Sequence, residues 1–321
     1  MQNPTRRIGD DEKAGDDAMK VTHFIRAAAM AGLLFTLAAG CTTTDFVTGQ
    51  PVQNMYSLAE EVQLGGQFYK ELVSGLQKEN APIDQDPARV ALVREVTAHI
   101  TAVAHITNLP YHATFVGDPD FVNAYALPGG NIMVFEGIWN PKEGLVRTVD
   151  ELAAVIGHEI AHVNCRHSTE AMTRQMLPNL LLAGGMIWAT LEDKDDLQLL
   201  FGGLMLVHNG LIVTRYSRAD ELEADRIGMM YMAKAGYNPE AAPRVWERLA
   251  GASDSQLAKA LSIFSTHPRD KKRAQELRKH LPEAMALYQA APIKRDGARL
   301  LSTLPPSTTP AKPKSDKPKA D

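Results

Sequence analysis

The stretch V-I-G-H-E-I-A-H-V-N-C-R-H, residues 155–167, sets two histidines four positions apart with a glutamate beside the first. On an α-helix, residues i and i+4 lie on one face, so His158 and His162 can reach a single ion. Zinc suits neutral imidazole; a catalytic zinc site takes a third protein ligand and leaves a fourth position for water. Glu159 projects beside that position, where it can take a proton from the attacking water. The flanking run A-A-V-I-G and the pair I-A read as buried. Two imidazoles and a carboxylate in such surroundings are costly without partners, and a metal ion removes that cost.

The third ligand must come from elsewhere. A histidine six positions past His162, after a glycine turn, would mark a metzincin, but Ser168 stands there. His167, five positions past His162, points well away from the ligand face of a continuous helix, so it reads as a cap or as a group behind the ligands. Cys165, three past His162, would strain the geometry as a ligand on the same turn. The stretch S-R-A-D-E-L-E-A-D-R-I-G, residues 217–228, offers a better donor. Glu221 and Asp225 are like charges four apart, which disfavours a helix unless something positive stands between them. A metal ion and the histidine on it would be that something. Glu221 is therefore the expected third ligand, and Asp225 the carboxylate that orients an imidazole from behind.

Outward from this centre the chain reads as helices around a short run of strands. S-L-A-E (57–60) is a capping box opening a helix to about Lys78, and Asp86-Pro87 announces a second. Residues 111–117, 121–127 and 131–135 read as short strands separated by Gly-Asp-Pro and Pro-Gly-Gly. T-V-D-E (148–151) is another capping box, before the histidine helix. Ser217 caps the helix that carries Glu221, and Gly236 ends it with Pro239 beyond. Two apolar segments, 177–191 and 197–214, read as helices packed inside the domain, with a hairpin dipping into a lipid surface as the alternative. Shorter helices reach about residue 290. The fold class is α+β, mainly α.

The two ends read differently. Residues 1–18 are polar and acidic and precede Met19-Lys20, so Met19 reads as the true start. Residues 19–40 have the basic start and short apolar run of a secretory signal. The ending Ala39-Gly40-Cys41 resembles a bacterial lipobox, which implies lipidation at Cys41. Thr42, rather than aspartate, follows it, which favours the outer membrane on its periplasmic side. Residues 41–55 read as a polar tether and 291–321 as a disordered Pro/Lys-rich tail. A formal charge of -4 and no basic stripe argue against a nucleic-acid partner, and two cysteines write no disulfide framework.

H-E-I-A-H-V-N-C-R-H, S-R-A-D-E-L-E-A-D-R-I-G, S-T-H-P (265–268) with Arg273 following, and N-A-Y-A-L-P-G-G-N-I (123–132) stand in the order expected of one family. Together they resemble the M48 zinc metallopeptidases of the Ste24 and HtpX type over about residues 56–280. The resemblance implies a gluzincin-type fold with a small sheet beside the active-site helix, in a domain spanning 56–290. It also implies one zinc ion per chain, with Glu221 as the glutamate ligand. An extended substrate would add to an edge strand, either Asn123-Ala124-Tyr125-Ala126-Leu127 or Asn131–Phe135. His267 would approach the zinc or the developing oxyanion, and Arg273 would be a second donor there. No spanning helix and no tetratricopeptide region are visible, so the nearest type is a short, lipid-anchored periplasmic form related to the BepA-like peptidases.

These readings lead to a zinc endopeptidase that cleaves misfolded or misassembled envelope proteins, with Glu159 as general base. Its rival is a chaperone-like assembly factor for outer-membrane proteins that uses the groove without turnover. A deformylase-like enzyme expects a cysteine ligand upstream on a strand, and residues 42–157 contain none.

Overall fold

The computed structural model describes residues 42–139, 144–176, 216–251, 272–305 and 307. The signal segment with Cys41, the apolar segments 177–191 and 197–214, and the S-T-H-P stretch with His267 lie outside the described residues.

The described fold is carried chiefly by β1 (Thr42–Thr44), β2 (Pro51–Gln53), α1 (Leu58–Lys78), α2 (Pro87–Thr101), β3 (His112–Val116), β4 (Ala124–Ala126), β5 (Asn131–Phe135), α3 (Val149–Asn164), α4 (Arg218–Lys234), α5 (Ala241–Ala250) and α6 (Lys272–Ala290), with a further helical segment over 167–176. Most starts follow the residues that mark them. Ser57 and Glu60 close the reciprocal box on α1, and Asp86 accepts from the backbone N–H of Arg89 with Pro87 in the first turn of α2. At α3 the box is only half formed. Thr148 accepts from the N–H of Glu151, but Glu151 turns back to accept from the N–H of Arg147 at 2.7 Å and to pair with Arg248 at 2.9 Å. The carboxylate is thereby held by one backbone N–H and one charge-assisted contact, neither of them from its own cap residue.

β3, β5 and β4 form one sheet in that order, β3 parallel and β4 antiparallel to β5. The turn from β4 to β5 is Pro128-Gly129-Gly130, with Gly129 at φ 76°. A side chain there would stand 2.5 Å from the Cα of Val62, so the turn seats against α1 only as glycine. Ala113, Phe115, Ile132 and Val134 face the main core, where all sixteen residues of α3 are buried. Leu152, Ile156 and Ile160 lose all contact with water. Each contributes roughly 1.5–3 kcal/mol of hydrophobic stabilisation.

One contact sets how closely α3 and α4 approach. A Cβ on Gly157 would lie 2.7 Å from the carbonyl oxygen of Gly228, and one on Gly228 would lie 2.6 Å from the backbone N of His158. The two backbones touch with no side chain between them, one residue from the first histidine.

Two expected boundaries move. The segment 41–55 is not a plain tether. Thr42–Thr44 pairs with Pro51–Gln53 around a turn in which Asp45 accepts from the N–H of Thr48 at 2.6 Å, and Asn54 is buried and donates to Thr169 at 2.8 Å. At the other end, order continues past 290. The N–H groups of Val149 and Asp150 donate to the carbonyls of Arg299 and Gly297, Thr148 bridges Leu300, and Leu301 is buried. The first turn of α3 has N–H groups without partners in its own helix, and this returning segment supplies their acceptors. Among the described residues no helix is long and apolar enough to cross a membrane.

Candidate active site

His158 and His162 project from α3 and Glu221 from α4, and the ligand-type atoms of the three lie within 4.8 Å of one another. The two Nε2 atoms are 3.0 Å apart, and each stands 3.6 Å from an oxygen of Glu221. Two donors about 2.0–2.1 Å from one tetrahedral ion stand about 3.3 Å apart, so this spacing fits a divalent metal. All three side chains are at most 2 % exposed. An imidazole–imidazole–carboxylate set of this kind suits zinc and neighbouring transition metals and does not suit magnesium or calcium.

Behind His158 stands Asp225, with Oδ1 3.0 Å from Nδ1. Asp225 is gripped in turn by Arg273 of α6, whose Nε and Nη2 donate to it at 2.7 and 2.6 Å. The third nitrogen, Nη1, lies 2.6 Å from Glu221 Oε2. Burial pushes the Asp225 carboxyl up, but the Arg273 charge and hydrogen bonds, with His158, outweigh it and hold it at about 2. Burial works to lower the Arg273 pKa, yet the Asp225 and Glu221 charges raise it above its ordinary value. The guanidinium lies 3.8 Å over the ring of Trp246, whose edge also meets His158. The expectation that Arg273 would donate to an oxyanion is therefore revised. All three of its nitrogens face the two carboxylates, and it is the counter-charge that lets Glu221 and Asp225 share one helix face.

Around His162 the surroundings differ. Tyr216 stacks on its ring at 4.0 Å, and the Tyr216 hydroxyl meets Ser168 Oγ at 2.8 Å. Burial pushes the Tyr216 phenol up. Nδ1 of His162 lies 2.9 Å from Nδ1 of His167, whose Nε2 lies 3.1 Å from Glu223. His167 thus points at the ligand face and not away from it. α3 ends at Asn164, and Arg166 takes the left-handed conformation at φ 59°, which swings the next residue back. Cys165 sits with His167 and Glu223 in a second cluster, away from the ligand triad; burial pushes its thiol up.

Glu159, next to His158 on α3, accepts from the N–H of Ala126 in β4 at 3.0 Å. Ala124 and Ala126 face the α3 core, whereas Tyr125 packs toward Phe135 on the far side. Small side chains at the two facing positions let the strand come this close. The Ala126 N–H points away from β5, and the two-residue alternation of an antiparallel ladder turns the backbone of Ala124 the same way. Among the described residues β4 is therefore an edge strand of the sheet, and that edge runs beside Glu159. Asn131–Phe135, the other expected edge, is the central strand with both sides already paired. The sequence reading missed Tyr216, Trp246 and the paired glycines, because each acts through a contact between segments distant in the chain.

A family model described as peptidase family M48 matches residues 87–281, a span that runs from α2 into α6 and holds every side chain of the site. The chain belongs to peptidase family M48. Among its relatives are the mitochondrial metalloendopeptidase OMA1 of Schizosaccharomyces pombe, 37% identical over 72% of this chain and 64% of that protein, and OMA1 of Arabidopsis thaliana, 31% identical over 68% of this chain and 42% of that protein. The beta-barrel assembly-enhancing protease of Escherichia coli is 26% identical over 72% of this chain and 45% of its own length. The chain spans less than two thirds of the length of each. As a mainly helical M48 zincin with a small sheet against α3, the fold agrees with the class expected from the motifs.

Proposed function

We propose that the chain is a zinc-dependent endopeptidase of the bacterial cell envelope that hydrolyses misfolded or misassembled proteins. The observation that carries this reading is the convergence of His158, His162 and Glu221 beside Glu159 and an edge strand. The same three side chains would hold the zinc. When bound, the ion supplies Lewis acidity, which makes water a nucleophile near neutral pH and polarises a carbonyl.

The protein's own groups supply the rest. The edge of β4 pairs with an extended substrate backbone and presents one peptide bond across the site. Glu159 takes the proton of the attacking water and passes it to the departing amine nitrogen. Its hydrogen bond from Ala126 ties the position of the base to the strand that holds the substrate. Asp225, backed by Arg273, fixes the ring of His158 with its proton on Nδ1. His267 would approach the open side of the site, as the resemblance implies.

The envelope assignment rests on the lipobox-like ending at Cys41, which would anchor the chain on the periplasmic face of the outer membrane. A bacterial relative named for beta-barrel assembly supports it. Unfolded chains suit the site because an edge strand reads backbone, and only an unfolded segment offers a free one.

The test uses purified protein, metal analysis and casein cleavage. Wild type should carry one zinc, cleave casein and lose cleavage to a chelator. Glu159→Gln should keep the zinc and lose at least 10²–10⁴-fold in rate. Undiminished cleavage by that variant overturns the mechanism. Full function of the variant in cells, with casein uncleaved by wild type, would instead favour the chaperone-like reading.

A further inference from the structure

The two histidine ligands are oriented by different devices: Asp225 stands behind His158, and His167 lies behind His162. We infer that His167 is the positioning residue for His162: it accepts the Nδ1 proton of His162 and passes the constraint through its own Nε2–H to Glu223. This rests on the metal reading of the site given above.

The proton count follows from the distances. His162 turns Nε2 toward Glu221 and His158, so as a ligand it must carry its proton on Nδ1. The atom 2.9 Å from that proton's nitrogen is Nδ1 of His167. Two N–H groups cannot face one another, so His167 accepts there and carries its proton on Nε2. That proton points at Glu223 Oε2, an acceptor, 3.1 Å away. Each link in the chain has one donor and one acceptor, and both rings are 1 % exposed, shielded from competing water.

The backbone that builds this arrangement is an uncommon one. A non-glycine residue in the left-handed region is strained by its Cβ against the following carbonyl, and Arg166 occupies that region between the helix end and His167. Buried polar contacts hold Arg166 there. Its Nε donates to Glu61 at 2.8 Å, and its Nη2 donates to the carbonyl of Tyr56. Glu61 also accepts from Thr169 at 2.5 Å and Asn54 at 3.4 Å. Without that turn, the residue five past His162 would lie about 140° around the helix from it. The fold sustains a strained residue and a buried ion pair where the result is a ring delivered to His162. Glu223 is 36 % exposed in its side chain, so the far end of the chain reaches the surface.

The experiment measures zinc affinity by chelator competition and the visible spectrum of the cobalt-substituted protein, for wild type, His167→Leu, His167→Gln and Glu223→Ala. Removing a partner behind a metal ligand weakens binding about 10–100-fold. His167→Leu should show that loss and a changed cobalt spectrum. In His167→Gln, the amide can accept from His162 and donate to Glu223, so it should regain most of the affinity. Glu223→Ala changes a half-exposed side chain that folding tolerates, and should weaken binding by a smaller factor. Should His167→Leu fail to fold, the Gln and Ala variants still decide. Wild-type affinity and spectrum in either His167→Leu or Glu223→Ala overturns the inference alone. A wild type that takes two zinc ions, falling to one in His167→Leu, also overturns it, since His167 would then be a ligand with Cys165 and Glu223. A wild type that binds no divalent metal overturns the inference and the zinc reading together.

Discussion

Gly228→Ala tests whether the spacing of α3 and α4 sets the metal site. The new Cβ would meet the backbone N of His158 at 2.6 Å, and the carbonyl carbon and oxygen of Gly157 at 2.7 and 2.8 Å. Ordinary contact begins near 3.4 Å, and all three neighbours are backbone, so no rotamer relieves the clash. The helices must separate by about 0.8 Å to restore ordinary contact, an overpacking that costs about 1–3 kcal/mol. His158 and His162 move with one helix and Glu221 with the other. A displacement approaching 1 Å at a catalytic constellation costs about 100-fold, so zinc affinity should fall at least about tenfold.

The assay is unfolding of wild type and variant with and without zinc, together with chelator competition. A tenfold weaker site removes about 1.4 kcal/mol from the stabilisation that zinc confers. Gly66→Ala is the control, because nothing lies within 4 Å of a Cβ there and it sits inside α1; it should be neutral or stabilise by up to about 1 kcal/mol. A Gly228→Ala protein that loses stability but keeps the wild-type zinc dissociation constant would refute the reasoning, since the helices would then have parted without parting the ligands.

Other consequences follow from the same geometry. Arg273→Met leaves two buried carboxylates facing each other and should destabilise the metal-free protein by about 3–5 kcal/mol, and the zinc-loaded protein by less, read from urea unfolding with and without chelator. Asp225 is held at about 2 against an ordinary 3.8, so in the metal-free protein its contribution of about 2 kcal/mol is present above pH 4 and lost as pH falls toward 2. Asp225→Asn should accordingly be weakest relative to wild type at neutral pH, with the gap closing in acid. Ala126→Pro removes the N–H that Glu159 accepts and blocks the edge of β4; kcat/KM on casein should drop at least about tenfold with zinc content unchanged.

Much of the site was legible because helical spacing is a local property. His158, His162 and Glu159 on one turn, and Glu221 with Asp225 on another, follow from periodicity and from the cost of like charges four apart. Capping residues marked the starts of α1, α2 and α4 in the same way. What periodicity cannot carry is the place where a helix stops without glycine or proline to announce it. Extending α3 through Arg166 put His167 on the wrong face; the left-handed turn is held by contacts of Arg166 with Glu61 of the first helix and with the carbonyl of Tyr56. Arg273 was misjudged for a similar reason: its position near S-T-H-P suggested a substrate contact, whereas its partners lie on a helix about fifty residues earlier. The choice between two candidate edge strands likewise needed the strand order, which a sequence with three short strands leaves open.

The charges explain why these pieces belong together. Glu159, Glu221 and Asp225 are buried carboxylates and Arg273 is a buried guanidinium, each at most 4 % exposed. Among the described residues, and counted as ionised, three anions against one cation leave the cluster two charges from neutrality. Burying that imbalance costs several kcal/mol per uncompensated ion. A monovalent cation would leave half of it, and a trivalent one would reverse the sign. A divalent cation cancels it and uses the two neutral imidazoles as ligands without adding charge. On this account Arg273 has a specific place: without it the cluster would carry three negative charges, more than one divalent ion can neutralise. The arginine on α6 thereby matches the site to the charge of a single divalent ion, while the imidazole chain from His162 through His167 holds the second ring at no cost in charge.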